Sequence, residues 1–164
     1  KDFKKYNFLI IGVNRYTDLI ENIAEEFNDI LNLYVLNSSE YKNYAFKYSQ
    51  CAIAVSGTIS LELSLKKVPM IVVYKLNFFS YIILKNIVKV KYISLTNIIL
   101  NKSVIPELIQ KNFSYNKFNY ELFSLLTNKN KQNKQLKMFN KLEEILRSEN
   151  NNNKIYIAIK EILK

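Results

Sequence analysis

Apolar and polar positions follow two rhythms along this chain. Five short runs are apolar almost throughout: "NFLIIGV" (7–13), "NLYVL" (32–36), "CAIAV" (51–55), "PMIVVY" (69–74) and "KYISL" (91–95). Such runs, rich in β-branched residues and bounded by polar breakers, predict buried strands. Pro69 fits the first place of a strand, where no ladder donor is lost. Between the runs the apolar spacing changes to three and four. Thr17 is placed to cap a helix reaching about Phe27, with Leu19, Ile20, Ile23, Ala24 and Phe27 on one face. Asn37, Ser38 and Ser39 break the second run and cap a helix over about 40–49, and a third helix starts at Thr58. Strands apolar on both faces and separated by helices predict an α/β fold with a parallel sheet covered on both sides. From about Pro106 onward no strand is predicted. Segments 105–111, 116–127, 131–148 and 153–163 read as helices, with "NKNKQNK" and "SENNNN" as solvated joints between them.

Composition narrows the classes. A chain of 164 residues suits one domain with a sizeable core, and a hydrophobic content of 49% excludes a disordered one. No charge-free apolar run is long enough to predict a membrane-spanning helix. With Cys51 as the single cysteine and no histidine, an internal disulfide is impossible, and zinc or Cys-His chemistry is a poor candidate. The net charge of +10 invites nucleic acid or an anionic membrane. The two arginines, Arg15 and Arg147, leave the basicity to lysine, in a Lys/Asn/Ile bias of the kind AT-rich codons produce. Lysine lacks the planar fork favoured in phosphate and base recognition, so nucleic acid is not an expected partner.

The chemistry concentrates where "CAIAV" meets a helix, in "AVSGTISLELSLKKVPMIVVYK" (54–75). Ligands of open parallel sheets bind outside the carboxyl ends of the strands. A loop Ser56-Gly57-Thr58 at such an end, opening a helix, offers backbone amides and a positive dipole end to a phosphate. Gly57 permits close approach, and the Ser56 and Thr58 hydroxyls add donors. Glu62, one turn beyond Thr58, is spaced to accept both hydroxyls of a ribose. The same pattern also describes a plain N-cap followed by a solvated glutamate, and spacing alone leaves both open.

The wider string resembles the C-terminal half of the lipid-A-disaccharide synthases. "SGTISLELSLKKVPMIVVYKLN", then "LKNIVKVKYISLTNIILNKSVIPELIQ", follows that family's order S-G-T-x-x-L-E-x-x-L-x-x-x-P-M-V-V-x-Y, L-V-K-x-x-Y-[VI]-S-L-x-N and V-x-P-E-[LF]-x-Q, over about residues 50 to 111. The resemblance implies a Rossmann-like domain, the C-terminal one of a two-domain GT-B-type glycosyltransferase, with strands and helices over about 6–111 and a helical tail over about 112–164. It implies transfer of 2,3-diacylglucosamine from UDP-2,3-diacylglucosamine to 2,3-diacylglucosamine 1-phosphate, without metal or other cofactor, by a cytoplasmic enzyme peripheral to the inner membrane. Carried onto this chain, Ser56, Gly57 and Thr58 would hold the pyrophosphate and Glu62 the ribose. Tyr74, Lys75 and Asn97 would line the donor cleft, Lys75 neutralising phosphate. Pro106-Glu107 matches the family's P-E pair, which helix initiation also explains.

Two departures set further expectations. Thr96 stands where the family has proline, which is expected to loosen that loop. The family's P-G-S-R-like loop and its acceptor-binding N-terminal domain have no counterpart in the string, and no residue is a convincing catalytic base for the acceptor hydroxyl. The chain alone is therefore expected not to turn over, and the sheet is expected to be weakened between "NFLIIGV" and "CAIAV". Residues 76–93, "LNFFSYIILKNIVKVKYI", match either a helix covering the sheet or an amphipathic segment at a membrane surface. Two other functions remain open on the residues: another UDP-sugar enzyme of the same two-domain class (a peptidoglycan glucosaminyltransferase or a sugar-nucleotide epimerase), or a non-catalytic basic membrane-binding domain.

Overall fold

The structure, a computed structural model, describes residues 3–11, 14–36, 39–55, 57–74 and 91–147. They fall into two compact units, Lys1–Tyr48 and Ser49–Lys164. The described strands form two parallel sheets, one of two strands and one of three.

In the first unit, β1 (Asn7–Ile11) pairs in parallel with β2 (Asn32–Leu36), joined through α1 (Thr17–Glu25) and followed by α2 (Ser39–Tyr48). Both strands form where continuous apolar runs predicted them, but their burial alternates. Phe8, Ile10, Leu33 and Val35 are half-buried, while Leu9, Ile11 and Tyr34 stay exposed. The apolar face expected on α1 is likewise open: Ala24 is buried, but Leu19, Ile23 and Phe27 are exposed. Thr17 is the first helical residue, not the cap. A 3-10 turn, Asn14–Tyr16, leads into the helix, and Tyr16 occupies the cap position without a side-chain bond.

The second unit holds the main core. Its sheet has the order β3 (Ala52–Ala54), β4 (Met70–Tyr74), β5 (Glu107–Ile109). Helix α3 (Gly57–Leu65) connects β3 to β4, and α4 (Leu95–Leu100) precedes β5. Two longer helices, α5 (Tyr115–Thr127) and α6 (Lys129–Arg147), come after it. Met70, Ile71 and Val72 are fully buried in the central strand, together with Ile105, Leu125, Phe139 and Leu142. Burial of each such side chain contributes about 1.5–3 kcal/mol.

Three expectations are corrected here. "KYISL" is not a strand: Ser94 caps α4, its hydroxyl accepting from the Asn97 N–H at 3.2 Å. The strand that pairs with β4 is instead Glu107–Ile109, inside a segment expected to be helical, with a 3-10 turn (Gln110–Asn112) after it. Pro106 thus introduces a strand, its carbonyl accepting from the Val72 N–H. Finally, "NKNKQNK" is no joint. Asn128 alone separates α5 from α6, closing one helix with its N–H and capping the next with its side chain. The helix expected over 153–163 lies outside the described residues.

One side chain of the tail bonds directly to the central strand. Gln135 of α6, 3% exposed, accepts from the Met70 N–H at 2.8 Å and donates to the Met70 carbonyl at 2.9 Å, as a neighbouring strand would. Lys67 makes a second tie. It ends α3 in the left-handed conformation (φ 59°), with Val68 N–H bonded to the Leu63 carbonyl and Lys67 N–H to that of Ser64. Glycine usually fills that place, since a Cβ there costs roughly 1–2 kcal/mol. The Lys67 ammonium donates to the Phe139 carbonyl and pairs with Glu143 at 2.6 Å.

Candidate functional site

The strand register places the expected site residues. Ala54 pairs with Val72 and Val72 with Glu107, while Tyr74 pairs with Ile109. Beyond Ala54 the chain therefore reaches Gly57 and Thr58 at the carboxyl edge of the sheet, the edge on which β4 ends at Tyr74. Gly57 itself begins α3, one residue earlier than the start predicted at Thr58. No described glycine has a positive φ, so its value at this joint is the absent side chain rather than a left-handed turn. Thr58 is exposed, and Glu62, one turn along the helix, is half-buried, as is Tyr74. Ser56, Lys75 and most of the 76–93 segment lie outside the described residues.

Asn97 does not join this group. It is fully buried and every hydrogen-bonding valence of its amide is filled. Nδ2 donates to the Ile105 carbonyl and to Glu107 Oε1, both at 2.8 Å. Oδ1 accepts from the N–H groups of Val104 and Ile105, both at 2.9 Å. No group of this side chain remains for a donor substrate. In this structure it shapes the loop that delivers β5, where the sequence reading expected it to line the donor cleft.

Glu107 belongs to the same knot. Its two carboxylate oxygens accept from the Ile93 and Ser94 N–H groups at 2.9 Å, holding the start of α4 against the start of β5. Sequence reasoning assigned Pro106-Glu107 to helix initiation and missed this. The usable signal was Ser94, three residues before Asn97, an N-cap spacing that removes "KYISL" from the strands.

Thr96 is corrected as well. Rather than loosening its loop, it is fully buried and ties α4 to α3. Its Oγ1 lies 2.8 Å from Ser64 Oγ and 3.2 Å from the Ser60 carbonyl, and Ser64 Oγ donates to that carbonyl at 2.8 Å. Ser60 and Ser64, spaced i and i+4 beside Leu63, form the buried seam of α3.

Burial pushes the thiol of Cys51, just before β3, up to about 11, which disfavours the thiolate at neutral pH. No helix among the described residues is long and apolar enough to cross a membrane.

Parallel strands linked through helices, with a helix opening at the carboxyl edge, define a Rossmann-like α/β protein. The profile of the lipid-A-disaccharide synthetase family matches residues 1–161, and the chain belongs to that family. It is 38% identical over 162 residues to the lipid-A-disaccharide synthase of Rickettsia prowazekii, covering 99% of this chain and 42% of that protein. The Rickettsia typhi enzyme of the same name is 39% identical over 163 residues, with the same coverage, and that of Rickettsia bellii 40% over 129 residues, 79% of this chain and 33% of the relative. The chain thus spans less than half the length of these curated relatives.

Proposed function

We propose that this chain is the donor-binding half of a lipid-A-disaccharide synthase. In that reaction the acceptor hydroxyl of 2,3-diacylglucosamine 1-phosphate attacks the anomeric carbon of UDP-2,3-diacylglucosamine. The bond to the diphosphate breaks with its electron pair, UDP leaves, and a base takes the hydroxyl proton. The part assigned to this chain is the leaving group. The amides of Gly57 and Thr58, in the first turn of α3, have no acceptor within the helix and face the end where a diphosphate gathers charge. The Thr58 hydroxyl adds a donor, Glu62 accepts from the ribose, and Tyr74 borders the same edge, with Ser56 and Lys75 completing the set. Catalysis of this kind stabilises charge as it develops on the departing oxygen. The proton acceptor is not among the residues named, so the acceptor site and base are assigned to the further length that the relatives possess. Acylated substrates imply work at a membrane surface.

The observation that carries this reading is the family match over residues 1–161, together with α3 opening on the carboxyl edge beside Tyr74. Calorimetry tests it. The chain is expected to bind UDP, Glu62→Gln to weaken that binding about tenfold, the scale of a lost charge-assisted hydrogen bond, and the chain alone to form no disaccharide. Absence of UDP binding at millimolar concentration would overturn the reading. Binding that ignores the acyl groups of the donor would point instead to another UDP-sugar enzyme.

A further inference from the structure

The opening turn of α3 carries Gly57 and Thr58, and its last residue is Ser60. On the Ser60 carbonyl converge two hydroxyls: Ser64 Oγ at 2.8 Å and, from α4, Thr96 Oγ1 at 3.2 Å. Each hydroxyl has one proton to give. The shorter distances select one arrangement, in which Ser64 donates to the Ser60 carbonyl and Thr96 donates to Ser64 at 2.8 Å. All three residues are fully buried, so water has no access to replace a missing partner. The far end of α3 is held separately, by Lys67 on α6. A nine-residue helix is thus fixed at its C-terminal end by one tie and near its N-terminal turn by another.

We propose that Thr96 is a positioning residue for nucleotide binding: its hydroxyl, through Ser64, sets where the opening turn of α3 presents Gly57 and Thr58 to the diphosphate. This rests on the function proposed above. Thr96 touches no substrate in this scheme. It acts through the helix.

The test compares two substitutions with opposite defects. Thr96→Val keeps the volume and removes the hydroxyl, whereas Thr96→Ser keeps the hydroxyl and leaves a methyl-sized void. If the hydroxyl positions the helix, the dissociation constant for UDP, measured by calorimetry well below the thermal midpoint, rises about threefold to tenfold in Thr96→Val, the span of one hydrogen bond. Thr96→Ser then binds within about twofold of the unsubstituted chain. Plain packing predicts the reverse ranking, and finding that ranking, or equal affinities in all three, overturns the proposal. Should Thr96→Val not fold, Ser64→Ala interrupts the same relay from the other side, and unchanged UDP affinity in that variant overturns the proposal too. Failure of the unsubstituted chain to bind UDP is a separate result. It removes the site itself, and this inference with it.

Discussion

Replacing Asn97 with alanine distinguishes a loop-building residue from a ligand contact. The substitution removes both donors and both acceptors of the amide at once. Two of the groups left behind, the N–H and carbonyl of Ile105, belong to a fully buried residue, and each stranded buried group costs about 1–3 kcal/mol. Val104 and Glu107 are half-buried, and water can reach part of what they lose. Allowing for overlap between bonds within one knot, the expected loss is about 4 kcal/mol, a large share of a typical domain stability of about 5–15 kcal/mol. Urea unfolding followed by circular dichroism measures it, with an unchanged slope showing that the transition remains the same one. Thr58→Ala, at an exposed position, serves as the reference and is expected to fall within about 0.5 kcal/mol of the unsubstituted chain. A loss below about 1 kcal/mol in Asn97→Ala, accompanied by weaker UDP binding, would refute the structural role and restore the contact with the donor.

Two more outcomes concern ionisation. Hydrogen bonding from Lys67, with the charges of Arg147 and Lys67, holds the Glu143 carboxyl below the usual glutamate range. A depressed folded-state value contributes stability above the ordinary range, lost as pH falls through the folded value. The stability difference between the unsubstituted chain and Glu143→Gln should therefore be present at neutral pH and fade on acidification below the usual glutamate range. A difference independent of pH across that window would refute the ion pair. Cys51, with its thiol pushed up to about 11, should react with a thiol-specific disulfide reagent at pH 8 about a hundredfold more slowly than an ordinary cysteine, and at the ordinary rate in urea.

The first four strands were legible because each is a continuous apolar run, and such a run admits few alternatives within an alternating chain. Strand β5 was not legible. "ELI" is three residues long, comes after a proline and precedes a polar turn, so locally it reads as the start of a helix. Partners far away in sequence decide it: Val72 to Tyr74 across the ladder, and the backbone of Ile93 and Ser94 on its glutamate. "KYISL" failed for the complementary reason, since its serine serves as the N-cap of α4. At the site, Thr58 and Glu62 fall on one helix as their spacing required, and Gly57 joins them as its first residue. For Asn97 the sequence left two roles open, because an asparagine in a matched motif reads the same whether it faces a ligand or a loop. Only the closure of its four bonds distinguishes the two. On α1 the helical spacing was right, and of the residues it placed on one face Ala24 is buried while Leu19, Ile23 and Phe27 are exposed.

Gln135 makes the helical tail part of the sheet's own cohesion. A strand buried on both faces needs a partner along its whole length, and at Met70 that partner comes from sixty-five residues downstream. Proteolytic removal of everything after Asn128 would therefore do more than trim an appendage. It would strip Met70 of its lateral bonds, uncover Phe139's place against the core, and leave Lys67 in its left-handed pose with nothing to hold. A piece of this chain that ended before Gln135 would leave the central strand without its lateral partner at Met70.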